Sequence, residues 1–290
     1  MNFDNLPGLT AIAASMAIFA GGFLAARFYF VAGGTPADVT ILRYGTAAIL
    51  LSPVAVFCFR SVGFRRSSAL ALFGGAPFGG LIFLGMTGAP IVHGAAIVPG
   101  VGLVAGTIGA ALTLSEPLPP RKIAGLGLAL SGLAVLTAPA ALTAEEGGVS
   151  LWAELCYVSA GLLWAAFTVA LRGWGISPLK GAAMASVYSL PMLLLAAPFL
   201  DLRMLDVAVS DTLAQAAYQG VVFAVLGILL YGFAVAKLGA GNAVMALPLL
   251  PAFAACFDFA LFDAPLTLSF FIALGILSIG VILIGTARNR

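Results

Sequence analysis

The sequence predicts an all-α integral membrane protein of ten transmembrane helices, arranged as two inverted five-helix repeats. Three observations carry this. Hydrophobic residues make up 62% of the 290 and charged residues 8%, against about 25% charged in a soluble domain, so the chain cannot cover a water-facing surface. Its apolar runs are about 20 residues long with short polar punctuation between them, the length of spanning helices rather than of barrel strands. The two halves also align with each other: shifted by 148, HGAAIVPGVGLVAGTIGAALTLSEPL (93–118) lies ungapped on GNAVMALPLLPAFAACFDFALFDAPL (241–266). In that register Pro117 meets Pro265, Gly127 meets Gly275, and Gly132 meets Gly280.

The runs place helices near 8–32, 37–59, 69–88, 92–114, 122–141, 150–171, 179–199, 212–236, 241–262 and 266–286. The first has no Lys or Arg ahead of it, since Arg27 is the first basic residue, and it is too long for a signal h-region, so it stays as a helix. Arg60, Arg65 and Arg66 separate the second from the third, and Arg121 and Lys122 precede the fifth. Tight hairpins fall around Pro90, Gly239 and Pro265. Residues 1–141 form one repeat and 150–290 the other, with 142–149 as a short periplasmic linker.

The charges orient the set. With the amino terminus in the cytoplasm, ten of the 13 basic residues fall in cytoplasmic segments, Arg203 alone falls in the opposite loops, and Arg27 and Arg43 lie within helices. This asymmetry places both termini in the cytoplasm of a multi-pass inner-membrane protein. Five helices per half is an odd number, so the second copy enters from the opposite side. That plan is common in secondary transporters, which bind substrate between the halves near the midplane.

Other classes are excluded. A net charge of +2 without a basic cluster argues against nucleic acid. Cys58, Cys156 and Cys256 are odd in number and lie in apolar runs, so they read as buried free thiols. One histidine, His93, without matching Cys or acid spacing makes no metal site, and no cofactor is called for. The expected partners are the lipid bilayer and a small-molecule substrate; a homo-oligomer is not required. The rival from another class is an intramembrane enzyme, which needs a nucleophile with a base or paired acids; a single histidine with no neighbouring carboxylate motif speaks against it. A channel is separated from a carrier by saturable counterflow.

The segments ILRYGTAAILLSP (41–53), FGGAPFGGLIFLGMTGAPIVHGAAIVPG (73–100), TLSEPL (113–118) and YQGVVFAVLGILLYGFAVAKLGAGNAVMALPLLP (218–251) resemble the EamA-type permeases of the drug/metabolite transporter superfamily. The likeness covers nearly the whole chain, within a branch that opens the fourth helix with Pro-x-x-His-Gly-Ala. It implies ten helices around a central cavity and, in bacteria, mostly export of metabolites, amino acids or drugs. On it, Arg43 and Tyr44 are similar to the Arg-aromatic pair of the second helix, Pro99 and Pro251 to the helix-breaking prolines, and Glu116 to the acid closing the first repeat, with Asp263 near its counterpart. Two departures stand out: Phe19-Ala20-Gly21-Gly22 replaces the Trp-Gly pair of many members, and the second repeat ends in Asp-Ala-Pro.

Polar residues within spanning segments usually face the bundle or a wet cavity. Arg27, Arg43, His93, Gln215, Tyr218, Gln219 and Asp258 all fall in the outer third of the bundle and form the candidate substrate or gating set, together with Tyr44 and the mid-membrane Trp164. Their alternatives are structural: the arginines snorkel, Asp258 pairs with one of them, the neutral His93 ring bonds backbone in the Gly88–Gly94 turn, and Trp164 faces lipid. Pro77, Pro99, Pro248 and Pro251 interrupt helices as hinge candidates.

Overall fold

The computed structural model describes residues 6–142, 149–263 and 266–287, all of whose regular structure is helical. Among the described residues, nine helices are long and apolar enough to cross a bilayer: α1 Leu6–Val31, α2 Pro36–Val62, α3 Phe64–Gly85, α4 Ile91–Leu114, α6 Leu151–Gly173, α7 Pro178–Phe199, α8 Val209–Leu238, α9 Gly241–Phe262 and α10 Leu268–Thr286. Between α4 and α6 lies α5, Pro120–Leu142, whose 23 residues complete the expected ten. The hairpin expected at Pro265 and most of the 142–149 linker lie outside the described residues.

The helices depart from their expected limits where polar ends continue them. A loop over 60–68 reduces to Gly63 alone, because α2 runs to Val62 and α3 starts at Phe64. Arginine is a good helix former and does not end a helix. Gly63 takes φ 78°, open to glycine at no steric cost, and so reverses the chain in one residue. Helix α3 breaks at Gly75 and restarts at Ala76, so Pro77 sits where its missing N–H costs nothing. Helix α9 is likewise two pieces, with a turn before Leu249. Helix α8 is π-helical over Ala217–Gly227, which no local pattern announces.

Small residues line many of the helix contacts, around large buried side chains such as Tyr157, Phe83 and Met16. Alanines and glycines let the backbones approach, while large side chains such as Phe57, 87% exposed, point outward. This is the packing expected where lipid, as apolar as leucine, supplies no drive to bury bulk. Cys58 is buried, but Cys256 is exposed, not buried as expected, since its side of α9 belongs to the outer surface.

The packing has an internal correspondence. Between helices not consecutive in the chain, the principal contacts are α5 with α10, α4 with α6 and α9, α1 with α8 and α9, α2 with α7 and α8, and α3 with α6 and α7. Exchanging each helix for the one five places along maps this set onto itself. The same register appears in the backbone. Ser115 and Asp263, 148 apart, are the described non-glycine residues with positive φ, at 55° and 50°. Each caps its helix with an N–H donated five residues back, to the carbonyls of Ala110 and Asp258.

The α5–α10 seam follows it too. A Cβ on Gly132 would lie 2.7 Å from the Leu277 nitrogen and 3.0 Å from the Ala273 oxygen, and one on Gly280 would lie 2.6 Å from the Ala129 nitrogen and 2.7 Å from the Gly125 oxygen. Each contact is the other's equivalent under the 148-residue shift.

Candidate functional site

Hydrogen bonds fix the depth of each polar residue. At the end of the bundle away from the start of α1, the Thr35 hydroxyl donates to the Asp201 carbonyl at 2.7 Å, and the buried Asp38 carboxylate accepts from the Arg203 backbone N–H at 3.1 Å. Asp38 also closes a capping box with Thr35. The 200–208 connection is thereby tied to the start of α2. Asp201 also hydrogen-bonds the Arg203 side chain and holds that guanidinium above its ordinary range. Helices α2 and α8 both begin at this far end and run parallel. Gly220 lies against Thr46 and Ala47, with no room for a Cβ. One turn earlier on each helix, Arg43 is level with the turn from Gln215 to Gln219.

The π-helical stretch of α8 packs into a notch on α1. A Cβ on Gly21 would collide with the Tyr218 hydroxyl, and one on Gly22 would lie 2.5 Å from the Phe223 ring. The Phe19-Ala20-Gly21-Gly22 departure is therefore the space that α8 needs. Tyr218 donates to the Ile18 carbonyl at 3.2 Å, the Gln219 amide to the Gly22 carbonyl at 2.8 Å, and Ser15 to the Gly227 carbonyl at 2.9 Å. Wide helical turns leave backbone groups seeking outside partners, and Ser15 supplies one at the close of the stretch.

Arg43 is 8% exposed, so it does not snorkel. Its guanidinium lies 3.9 Å from the Phe223 ring centre, 5.6 Å from that of Tyr44 and 5.9 Å from that of Phe83. Among the described residues no carboxylate pairs with it. A desolvated cation–π contact returns about 2 kcal/mol, whereas burying an ion costs several kcal/mol even after relaxation. The cation is undercompensated. On the facing α8, Gln215 and Gln219 are 3% and 0% exposed, and among the described residues Gln215 Nε2 and Gln219 Oε1 have no hydrogen-bond partner. Each such orphan costs about 1–3 kcal/mol. One cation, one orphan donor and one orphan acceptor thus share a depth on two packed helices. Tyr44 borders the group, its hydroxyl donating to the Gly74 carbonyl at 3.2 Å and its ring against Gly79.

The remaining candidates stand apart from this group. Asp258, buried late in α9, pairs with Arg27 late in α1, and the Arg27 guanidinium sits 4.0 Å over the Phe262 ring. His93 does not bond backbone through its ring: Nδ1 lies 2.7 Å from the Glu154 carboxylate, in the first turn of α6. Sequence reading missed Glu154 because an acid in a helix's first turn is ordinary, and 61 residues separate it from His93. Among the described residues no hydroxyl or thiol hydrogen-bonds the ring, and no three His, Cys, Asp or Glu gather to hold a metal. Tyr29 and Thr212 add a contact at 3.3 Å between α1 and α8. At the near end Arg172 pairs with Glu116.

Trp164 is exposed at one edge and stacked between Phe78 at 5.2 Å and Phe167 at 5.3 Å. Pro99 lies within α4, where it cannot donate to the Ala95 carbonyl. Pro99, Pro248 and Pro251 together line a narrow apolar crevice between α4, α9 and α10. Sequence reading passed over two further prolines inside helices, Pro53 and Pro191.

Residues 151–286 match the model of the EamA-like transporter family. Comparison with curated proteins gives no match. A crystal structure of a protein 18% identical to this chain has a TM-score of 0.58, covering 99% of this chain and 97% of that one, a likeness of fold.

Proposed function

We propose, on the match of residues 151–286 to the EamA-like transporter family, that this chain belongs to the drug/metabolite transporter superfamily and is a secondary-transport permease. It carries a small polar metabolite across the inner membrane by alternating access, in the direction of export. The observation that carries this reading is the buried Arg43, without a carboxylate partner among the described residues, on the helix that packs against the orphan amide atoms of Gln215 and Gln219. Buried polar groups that the chain itself leaves unsatisfied suit a bound solute better than a scaffold, where each orphan is pure cost.

Two further observations support the reading. The helix-exchange correspondence, the twin left-handed caps and the α5–α10 seam favour two inverted repeats, 1–141 and 150–290, over ten unrelated helices. The prolines of α4 and α9 face one crevice where the two repeats meet, a position suited to hinges. The charge distribution orients the near end, where α1 begins and α10 ends, toward the cytoplasm. Arg27–Asp258 and His93–Glu154 then tie together the outer ends of α1 with α9 and of α4 with α6.

Counterflow in proteoliposomes tests the proposal, with a labelled panel of amino acids, nucleosides and organic acids. Saturable exchange of one class, lost in Arg43→Ala protein that still inserts, is the expected result. Non-saturating flux would identify a channel instead, and chemical turnover of a panel member an enzyme.

A further inference from the structure

Resting on the transport reading, we infer that the Arg43–Gln215–Gln219 cluster takes a small organic acid anion that also carries a hydroxyl, and not an amino acid. The chemistry of the three groups specifies this. Guanidinium offers a fork of N–H donors matched to a carboxylate, and the orphan Gln215 Nε2 adds another donor at the same depth. The orphan Gln219 Oε1 needs the opposite, a hydrogen-bond donor on the ligand. Its own amide nitrogen is already committed to Gly22, which fixes the oxygen as the free end.

An amino acid would bring an ammonium group, which requires a carboxylate or comparable counter-charge at depth. Among the described residues, the buried carboxylates at this end of the bundle are already used: Asp258 by Arg27, Glu154 by His93, and Asp38 by the backbone of Thr35 and Arg203. The aromatic faces that could hold a cation, Phe223, Phe83 and Tyr44, surround Arg43 itself and so repel a second positive charge. A hydroxyl meets the Gln219 oxygen without that penalty. Placed so, an anion neutralises Arg43 and removes both orphans together.

Two isosteric series test this on purified full-length protein. Propionate, lactate and alanine differ at the second carbon by hydrogen, hydroxyl and ammonium; 3-phenylpropionate, phenyllactate and phenylalanine repeat the series at larger size. Thermal stabilisation in detergent and competition in counterflow are measured for each. The hydroxy acid of one series is expected to bind at least tenfold more tightly than its amino counterpart. Arg43→Gln should lose all carboxylate stabilisation, while Gln219→Met should keep it and lose the preference for lactate over propionate, or for phenyllactate over phenylpropionate. Should Arg43→Gln fail to fold, the Gln219→Met comparison decides. Preference for the amino acids, or no stabilisation by any of the six, overturns the inference. Exchange of amino acids or nucleosides would overturn it while leaving the transport reading in place; binding of the hydroxy acid with no exchange of any solute would do the reverse.

Discussion

At the scale of single residues, His93 shows how far side-chain identity can be read without a partner. A lone imidazole in an apolar stretch points to a polar contact, yet the contact is made by Glu154 from a helix far along the chain. Both groups lie in the first turn of their helices. His93→Leu leaves the buried carboxylate alone and is expected to cost about 3 kcal/mol, whereas His93→Gln keeps a donor and should cost about 1 kcal/mol. Chemical unfolding in detergent measures both. If the pair is structural, the pH profile of flux in His93→Gln follows that of the unaltered protein; loss of a pH dependence would make the ring a coupling group. Arg43, Gln215 and Gln219 were legible as polar residues in apolar runs. That two amide atoms have no partner was not, because it depends on the π-helical turns of α8 and on the glycine notch of α1.

Among the helices, the α5–α10 contact separates glycines that pack from glycines that do not. Gly132 and Gly280 each meet backbone atoms of the opposite helix, which cannot swing aside as a side chain would. Gly280→Ala is therefore expected to part the helices and destabilise the protein by about 1–3 kcal/mol. Gly127 and Gly275, also matched by the 148-residue shift, have nothing within 4 Å of an added Cβ. Alanine at either should be neutral or stabilising by up to about 1 kcal/mol. Thermal unfolding of the four single variants checks this, and equal losses at all four would remove the seam as the cause. The helices themselves were legible because length and hydropathy are local properties. Their interruptions were only partly so: Pro77 marks the break in α3, but the turn before Leu249 and the π-helical stretch are settled by neighbours.

For the whole molecule, the orientation proposed from charge is checked by labelling single cysteines in a background from which Cys58, Cys156 and Cys256 are removed. A cysteine at 145 should react with an impermeant reagent from outside intact cells, and one at 63 only after permeabilisation. The reversed pattern would invert the topology while leaving every contact described above intact. Pattern at this scale came through in the sequence as a repeat of low identity, because what the two halves share is where backbones meet and where helices stop. The α5–α10 seam has a consequence for descent. A surface that pairs with its own equivalent needs no second surface to evolve beside it: a gene for one five-helix unit already encodes both sides. Under the proposed plan of two inverted repeats, two separate copies inserted in opposite senses would meet through it with no link between them.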